Sequence, residues 1–259
     1  MILLRRSTHG RLGKAAGDRM GEGQARRRRP FWQETLILVV VAVALAILIK
    51  IFLVQAFYIP SESMEPGLVR NDRILVEKPS YWSGGPERGD VIVFEDPGGW
   101  LDPDEAKGPT SLLARGMSHI GLYPTGGHLV KRVIGVAGDV IVCCDDRGRI
   151  SVNGQPLREG GYIVEQDTCN GPMVESCHWR AGPVPAGHVF VMGDNRHNSR
   201  DSSAHLCKAP YLGCRKGEEY VDTDLVVGKV MVLVWPHDHF TWIETPDSFD
   251  DVPDPKPAG

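Results

Sequence analysis

The sequence predicts a mainly β fold of antiparallel strands, with a small inserted β subdomain and one preceding N-terminal helix that could span a membrane. Three observations lead to this prediction: a single long apolar run near the N-terminus, a series of short β-branched runs after residue 70, and no three-turn helical pattern outside the apolar run. At 259 residues, the chain is long enough to bury a substantial core.

The apolar run covers residues 36–54, LILVVVAVALAILIKIFLV, and contains one charge, Lys50. As a helix it would be roughly 28 Å long, which is close to the hydrocarbon thickness of a bilayer. A buried core helix is the alternative, but such a helix normally keeps a polar face, whereas this run is apolar all round. We therefore predict a transmembrane helix over residues 35–55, with the lipid bilayer as a partner.

Charge is divided unevenly along the chain. Residues 1–34 contain nine Arg or Lys and three acids, a net of +6, whereas the whole chain carries −4. The rest therefore carries −10, which argues against a nucleic-acid partner. The RRRR of residues 26–29 should stay in the cytoplasm by the positive-inside rule, so that residues 56–259 face outward. A cleaved export signal is the alternative, but the charged region and the apolar run are both longer than such signals usually have.

All six cysteines follow the apolar run, on the side expected to face an oxidising compartment. They are Cys143, Cys144, Cys169, Cys177, Cys207 and Cys214. An even number in that setting predicts disulfides. Short loops make Cys169–Cys177 and Cys207–Cys214 plausible, whereas the adjacent Cys143 and Cys144 should bond more easily to other partners than to each other. Zinc is the alternative, but no paired C-x-x-C spacing is present. We expect no metal and no other cofactor.

Seven short runs have the length and composition of strands. They are RILVE 73–77, DVIVFE 90–95, HLVKRVIGV 128–136, DVIVC 139–143, RISV 149–152, HVFVM 188–192 and LVVGKVMVLVW 225–235. We expect them to build one outward domain over residues 56–236. Residues 145–186 are rich in turn residues and suggest the inserted subdomain, and residues 98–127 suggest an irregular excursion from the sheet. Residues 237–259 contain five more acids than bases and four prolines, which predicts a disordered tail.

Two serines follow the apolar run in IPSESMEPG, residues 59–67. Such a composition is typical of an exposed turn, but Ser61 or Ser63 could also be a nucleophile with a base nearby. Lys131 is the candidate base because it lies inside a predicted strand with apolar residues on both sides. An edge-strand lysine pointing into water is the alternative. If the ammonium is buried, desolvation lowers the pKa of Lys131 and lets its amine accept a proton near neutral pH.

A third stretch, MGDNRHNSRDSS at 192–203, directly follows a predicted strand. It alternates carboxylates, hydroxyls and guanidiniums within one loop. A surface loop can have this composition by chance, but a buried hydrogen-bonded network needs the same groups.

Together these stretches resemble the motifs of bacterial type I signal peptidase. PSESMEP at 60–66 is similar to S-x-S-M-x-P, and RGDVIVFEDP at 88–97 is similar to a Gly-Asp followed by a strand. KRVIGVAGD at 131–139 is similar to K-R-x-x-G-x-x-G-D, and GDNRHNSRDS at 193–202 is similar to G-D-N-R-x-N-S-x-D-S. The four motifs occur in the family's order after a membrane anchor, so the resemblance is specific.

The resemblance implies an antiparallel β-sheet peptidase domain and a serine endopeptidase that removes signal peptides from exported preproteins after Ala-x-Ala. It implies that Ser63 attacks the scissile carbonyl, that Lys131 takes its proton, and that Ser199 orients the lysine. The Ser63 backbone N–H and the Ser61 hydroxyl would bind the oxyanion.

Further residues match supporting roles in that family. Arg132 with Asp194, and Asp201, match ion pairs that hold the lysine strand against the following loop. Apolar pocket residues of the family are matched by Ile59, Pro60, Met64 and Val130.

The chain departs from the family pattern at two positions. Glu62 stands where the family often has Gly, and not all members keep a hydroxyl at the place of Ser61. Ser203 stands where better-known members have Arg, so that Asp201 lacks its usual partner and Arg200 or Arg196 is a candidate to replace it.

Two other functions compete with this one. A self-cleaving repressor would use a similar catalytic fold, but it would be cytosolic and carry a DNA-binding module. A non-enzymatic extracytoplasmic anchor would use the serines only as turn residues. The preferred prediction is a single-pass protein of the bacterial plasma membrane, with a cytoplasmic N-terminus, an extracytoplasmic catalytic domain and a monomeric state.

Overall fold

The computed structural model describes residues 30–108, 111–119, 126–164, 178–207 and 216–255. Its helices are α1 (Phe31–Phe52), α2 (Pro103–Ala106) and α3 (Leu112–His119). Its strands are β1 (Val54–Tyr58), β2 (Arg73–Glu77), β3 (Val91–Glu95), β4 (His128–Gly135), β5 (Ile141–Cys143), β6 (Ser151–Val152), β7 (Gln155–Pro156), β8 (Trp179–Ala181), β9 (His188–Met192), β10 (Val221–Asp222), β11 (Val226–Trp235) and β12 (Thr241–Trp242). The fold is mainly antiparallel β, as predicted.

Helix α1 contains most of the predicted apolar run but begins and ends slightly earlier in the chain. It begins at Phe31 and ends at Phe52, whereas the predicted span was 35–55. The last predicted residues belong instead to β1, whose VQAFY sequence pairs with β2 from Val54↔Glu77 to Tyr58↔Arg73. Among the described residues, α1 is the one helix long and apolar enough to cross a membrane.

The larger sheet has the order β1-β2-β11-β3-β4-β9-β10, with β12 added beside β11. Its buried faces consist of β-branched and aromatic side chains such as Ile74, Val76, Ile92 and Phe190. Five of the seven predicted strands lie in this sheet. The short strands β10 and β12 were not predicted, because two residues are too few to form a recognisable β-branched run.

The smaller sheet, with the order β7-β6-β5-β8, is the inserted subdomain. It begins at β5 rather than near residue 145, so the run DVIVC belongs to the insert and not to the main sheet. An Asn-Gly turn joins β6 to β7, with positive φ at Asn153 (51°) and Gly154 (86°). Buried side chains of the insert pack with Phe190 and Met192 of β9, so the insert shares a core with the main sheet.

The prediction of a disordered tail is wrong for residues 237–255. Strand β12 pairs with β11, and Phe249 and Val252 are buried in the core shared with the insert. Asn153 Nδ2 donates to the Pro253 carbonyl at 2.8 Å. The prediction rested on the excess of acids and prolines and gave no weight to Phe249 and Val252. Burial of these two apolar side chains holds the segment in place.

The cysteine pairing also differs from the prediction. A disulfide joins Cys143 to its neighbour Cys144 at the end of β5, where Cys143 is buried in the core of the insert. Cys207 is disulfide-bonded as well. Cys169, Cys177 and Cys214, on which the two plausible pairings depended, lie outside the described residues.

Candidate active site

The turn that carries Ser63 follows β1 and is fixed by its apolar neighbours. Ile59, Met64 and Leu68 are buried on either side of it. The backbone closes the turn, because Leu68 N donates to Met64 O at 3.0 Å and Asn71 N donates to Ile59 O at 2.9 Å. Ser63 is 7 % exposed. The serine is therefore held on a firmly anchored turn and not on a free loop.

Lys131 lies in the middle of β4, which is flanked by β3 and β9. It is directly opposite Ile92 of β3 and is 4 % exposed, so it is not an edge-strand lysine in water. A hydrogen bond of 2.6 Å joins its Nζ to Ser63 Oγ, although 68 residues separate the two in sequence. The structure thus brings the candidate nucleophile and the candidate base into direct contact.

The second serine lies beside the first. Ser61 Oγ is 3.3 Å from Ser63 Oγ. A hydroxyl at this distance is close enough to interact with an oxygen that develops charge next to Ser63.

These residues open onto one groove of about 850 Å³. The polar residues predicted from the sequence that line it are Ser61, Ser63, Lys131 and Ser199. The predicted apolar pocket residues Ile59, Pro60, Met64 and Val130 line it as well. Trp100, Leu101 and Asp102 of the excursion after β3 also line the groove, a contribution that their irregular sequence did not predict.

The loop after β9 is organised by Asp201, which is fully buried. Its Oδ2 accepts hydrogen bonds from Ser199 Oγ at 2.6 Å and from Gly193 N at 2.9 Å. Its Oδ1 accepts from Ser203 Oγ at 2.5 Å and from Ser203 N at 3.1 Å. Since the Ser199 hydroxyl donates to Asp201, its oxygen can act only as an acceptor towards Lys131.

Asp201 was predicted to form an ion pair with Arg200 or Arg196, and this prediction is wrong. Arg200 Nη1 instead contacts Asp102 Oδ1 at 2.7 Å on the surface, and Arg196 pairs with Glu159. The hydroxyl and amide of Ser203 bind Asp201 where the family pattern has an arginine. Neutral donors therefore satisfy this carboxylate.

Arg132 and Asp194 form the predicted ion pair in bidentate geometry. Arg132 Nε donates to Asp194 Oδ1 at 2.8 Å, Nη2 donates to Oδ2 at 2.7 Å, and Nη1 donates to Gly89 O at 2.8 Å. Burial alone would lower the pKa of Arg132, but the Asp194 carboxylate more than offsets this and raises it. Arg132 therefore ties β4 to the loop after β9, while the preceding residue, Lys131, lines the groove.

The sequence did not predict how closely the loop after β9 approaches the turn that carries Ser63, which we call the serine turn. Asn195 N donates to Ser63 O at 3.0 Å, and Asn195 Nδ2 donates to Glu62 O at 3.1 Å. A Cβ at Gly193 would lie 2.4 Å from both Ser63 O and Ser199 Oγ. Both residues stand in the matched motif at 193–202, but their contacts depend on the tertiary structure.

No group of three or more potential metal ligands occurs among the residues that the structure describes. The groove offers acid–base and nucleophilic chemistry because it holds a hydroxyl and an amine in contact, those of Ser63 and Lys131.

Known proteins resemble this chain along most of its length. The family model "Signal peptidase, peptidase S26" matches residues 32–235. Signal peptidase I of Mycobacterium tuberculosis (strain ATCC 25618 / H37Rv) is 38 % identical over 248 residues, covering 86 % of this chain and 82 % of that protein. Probable signal peptidase I of Mycobacterium leprae (strain TN) is 35 % identical over 243 residues, with the same coverage.

A signal peptidase I from Enterococcus faecalis V583 is among the similar solved structures. It is 18 % identical, with a TM-score of 0.30, covering 56 % of this chain and 95 % of that one. The family match extends from the apolar helix to the end of β11 and includes both Ser63 and Lys131. With relatives above 30 % identity over most of their length, the chain belongs to the signal peptidase family, peptidase S26, and is a serine peptidase.

Proposed function

We propose that this protein is a membrane-anchored endopeptidase that removes N-terminal signal peptides from exported preproteins, with Ser63 as nucleophile and Lys131 as general base. The observation that carries the proposal is the 2.6 Å contact between Lys131 Nζ and Ser63 Oγ within the groove. The names of the relatives support the substrate class.

The proposed reaction begins with the substrate in the groove. Ser63 Oγ attacks the carbonyl carbon of the scissile peptide while its proton passes to the neutral Lys131 amine. The tetrahedral oxyanion is bound by the Ser63 N–H and the Ser61 hydroxyl. Lys131 then gives its proton to the leaving amine, which departs as the new N-terminus. A water molecule, deprotonated by Lys131, hydrolyses the acyl-enzyme and releases the signal peptide.

This chemistry requires Lys131 to be uncharged when Ser63 attacks. Its burial supports the requirement, because a low-dielectric environment disfavours an ammonium relative to an amine. Val130 and Val133 are its apolar neighbours in β4. Ser199, acting as an acceptor, would hold the Lys131 N–H in the orientation that directs the amine lone pair at Ser63.

The groove also supports a preference for small residues. Ile59 and Met64 are buried, and with Pro60 and Val130 they present apolar side chains to the groove beside Ser63. Shallow apolar pockets accept alanine and exclude larger side chains by overlap. We therefore propose cleavage after Ala-x-Ala, and replacing either alanine of a precursor by phenylalanine should abolish processing. Equal rates for the two precursors would contradict this specificity.

Helix α1 supports the membrane anchor, and the arginine cluster before it supports a cytoplasmic N-terminus. In intact cells, externally added protease should digest the Ser63 region and spare residues 1–34. The opposite protection pattern would reverse the proposed orientation.

The test of the chemistry uses the full chain in detergent and a precursor ending in Ala-x-Ala. Ser63→Ala should be inactive. Lys131→Arg should also be inactive although it stays folded, because a guanidinium keeps its charge and cannot act as a base. Lys229→Arg is the matched control, since Lys229 also lies in a strand but pairs with Asp90 at 2.6 Å outside the groove. An active Lys131→Arg enzyme would refute the Ser/Lys dyad.

A further inference from the structure

A short segment of the inserted subdomain contacts all three stretches that carry the candidate catalytic residues. This segment, Glu159–Val164, follows β7 and is not part of any motif that the sequence analysis identified. It reaches the serine turn through a β-bridge between Ile163 and Pro66. It reaches the loop after β9 through a hydrogen bond from Val164 N to Asp194 O, at 3.4 Å.

The segment reaches the lysine strand through Tyr162. The guanidinium of Arg132, the residue after Lys131, lies over the Tyr162 ring at 4.6 Å from its centroid. A cation held over an aromatic face in a desolvated position is attracted to it. Tyr162 therefore covers the side of Arg132 that Asp194 and Gly89 do not bind.

Glu159 links this contact to the loop after β9. Its Oε1 accepts from Arg196 Nη2 at 2.7 Å and from the Tyr162 hydroxyl at 3.0 Å, and its Oε2 accepts from Arg196 Nη1 at 3.2 Å. Both side chains of the Arg196–Glu159 pair are 0 % exposed. Arg196 Nε in turn donates to Gly193 O at 2.8 Å, next to the point where the loop approaches Ser63.

The Glu159 carboxylate affects the pKa values of both of its partners, Arg196 and Tyr162. Burial alone would lower the pKa of Arg196, but the Glu159 carboxylate outweighs it and raises the pKa above the ordinary arginine value. Burial, with Glu159 beside it, raises the pKa of Tyr162 well above its usual range. Tyr162 is therefore a neutral donor to Glu159 at every pH at which the protein would act.

We propose that Glu159 and Tyr162 are positioning residues for the reaction: together they lock Arg132 and Arg196, and thereby set the distance between Lys131 and Ser63. This inference rests on the proposed function. The serine turn, the lysine strand and the loop after β9 contact one another at a few points, and the insert segment is bound to all three. Displacing the segment Glu159–Val164 should therefore alter the distance between Ser63 and Lys131 without changing any residue that lines the groove.

The first experiment compares two tyrosines in the full-length protein in detergent. Tyr162→Leu should lower kcat by about 10- to 100-fold, because small misplacements of catalytic groups have effects of this size. KM should change less than about threefold, since Tyr162 does not line the groove. Tyr162→Phe keeps the ring over Arg132 and should recover most of the lost kcat. Tyr220 is the matched control, because it packs against the same buried core and its hydroxyl accepts from Gly182 N at 2.8 Å.

Tyr220→Leu should leave kcat within about threefold of wild type when both are assayed well below their melting temperatures. Equal losses of kcat in Tyr162→Leu and Tyr220→Leu would mean that only general core packing was disturbed, and would overturn the proposal. Wild-type kcat in Tyr162→Leu would overturn it as well.

The second experiment separates folding from positioning at Glu159. Glu159→Gln leaves the Arg196 charge buried without its partner and should destabilise the fold strongly. The double variant Glu159→Leu with Arg196→Met removes both charges and should restore the melting temperature, because apolar side chains of similar volume can replace a buried pair. If the pair positions the dyad, kcat of the double variant should stay at least tenfold low with a shifted pH profile.

A double variant with wild-type kcat and pH profile would show that the pair serves stability alone, and would overturn the proposal. Ser63→Ala is assayed in parallel. An active Ser63→Ala refutes the proposed function and this inference with it, whereas an inactive Ser63→Ala beside fully active Tyr162 and double variants refutes the positioning role alone.

Discussion

Gly193 is the position where a single added methyl group should do the most damage to the candidate site. It follows β9 directly, and its Cα faces the Ser63 carbonyl. An alanine Cβ there would lie 2.4 Å from Ser63 O, 2.4 Å from Ser199 Oγ and 2.7 Å from Ser199 Cβ. Ordinary contacts begin near 3.5 Å, so the loop and the serine turn would have to separate by about 1 Å.

Neither the turn that carries Ser63 nor the side chain of Ser199 can move away without disturbing the candidate site. Ser63 O is a backbone atom that already accepts a hydrogen bond from Asn195 N at 3.0 Å. Ser199 is held by Asp201 at 2.6 Å. Overpacking of this kind usually lowers the free energy of unfolding by about 1–3 kcal/mol. A displacement of about 1 Å at catalytic groups is expected to lower kcat about 100-fold.

The assay is cleavage of an Ala-x-Ala precursor, with thermal unfolding measured in parallel. Gly67→Ala is the control, since the atom nearest to an alanine Cβ at that position would be Met64 O at 3.9 Å, and the φ of Gly67 is not positive. That variant should keep kcat within about twofold and lose no stability. A Gly193→Ala protein with wild-type kcat and melting temperature would refute the claim that this contact holds the loop after β9 against the turn that carries Ser63.

Three further predictions concern pH and the C-terminal segment. If Lys131 is the base as proposed, activity should fall as pH decreases because protonation of its amine removes the base, and a kcat/KM profile that is flat from about pH 6 to about pH 10 would contradict this. The hydrogen bond to Asp72 raises the pKa of His239, so its stabilising effect should be complete below about pH 6.5 and be lost as pH rises through the raised pKa. NMR titration should show a lower His239 pKa in Asp72→Asn, and an unchanged value would exclude the pairing. Deleting residues 246–259 removes the buried Phe249 and should lower the free energy of unfolding by about 3 kcal/mol or more, as measured by denaturant titration, whereas an unchanged midpoint would mean that the segment is not packed in solution.

The strands could be predicted where five or more residues form a run rich in β-branched and other apolar side chains. RILVE became β2 over the same residues, 73–77, and HVFVM became β9 over 188–192. Strand β1 was missed because the apolar run continues into it without a turn residue, so composition alone did not mark the point where the helix ends. The division into two sheets was also hidden, because DVIVFE and DVIVC have almost the same sequence but lie in different sheets.

The polar groove residues Ser61, Ser63, Lys131 and Ser199 were predictable because their motifs are short and carry polar groups in fixed order. Glu159 and Tyr162 were not, since REGGY at 158–162 has the composition of an ordinary turn. Both residues contact side chains that are distant in sequence: the Tyr162 ring lies against Arg132, and Glu159 pairs with Arg196, 37 residues away. No local pattern reports such a long-range contact.

Ser203 shows how the chain can depart from the family pattern and keep its loop intact. A buried carboxylate needs hydrogen-bond donors, and they need not carry a positive charge. Asp201 receives four such bonds, two from Ser203 and one each from Gly193 and Ser199. The serine hydroxyl reaches the same carboxylate oxygen as its own backbone N–H, so one small residue supplies two donors. Since Asp201 also accepts from the Ser199 hydroxyl, the two donors of Ser203 help to hold the carboxylate that orients a side chain lining the groove.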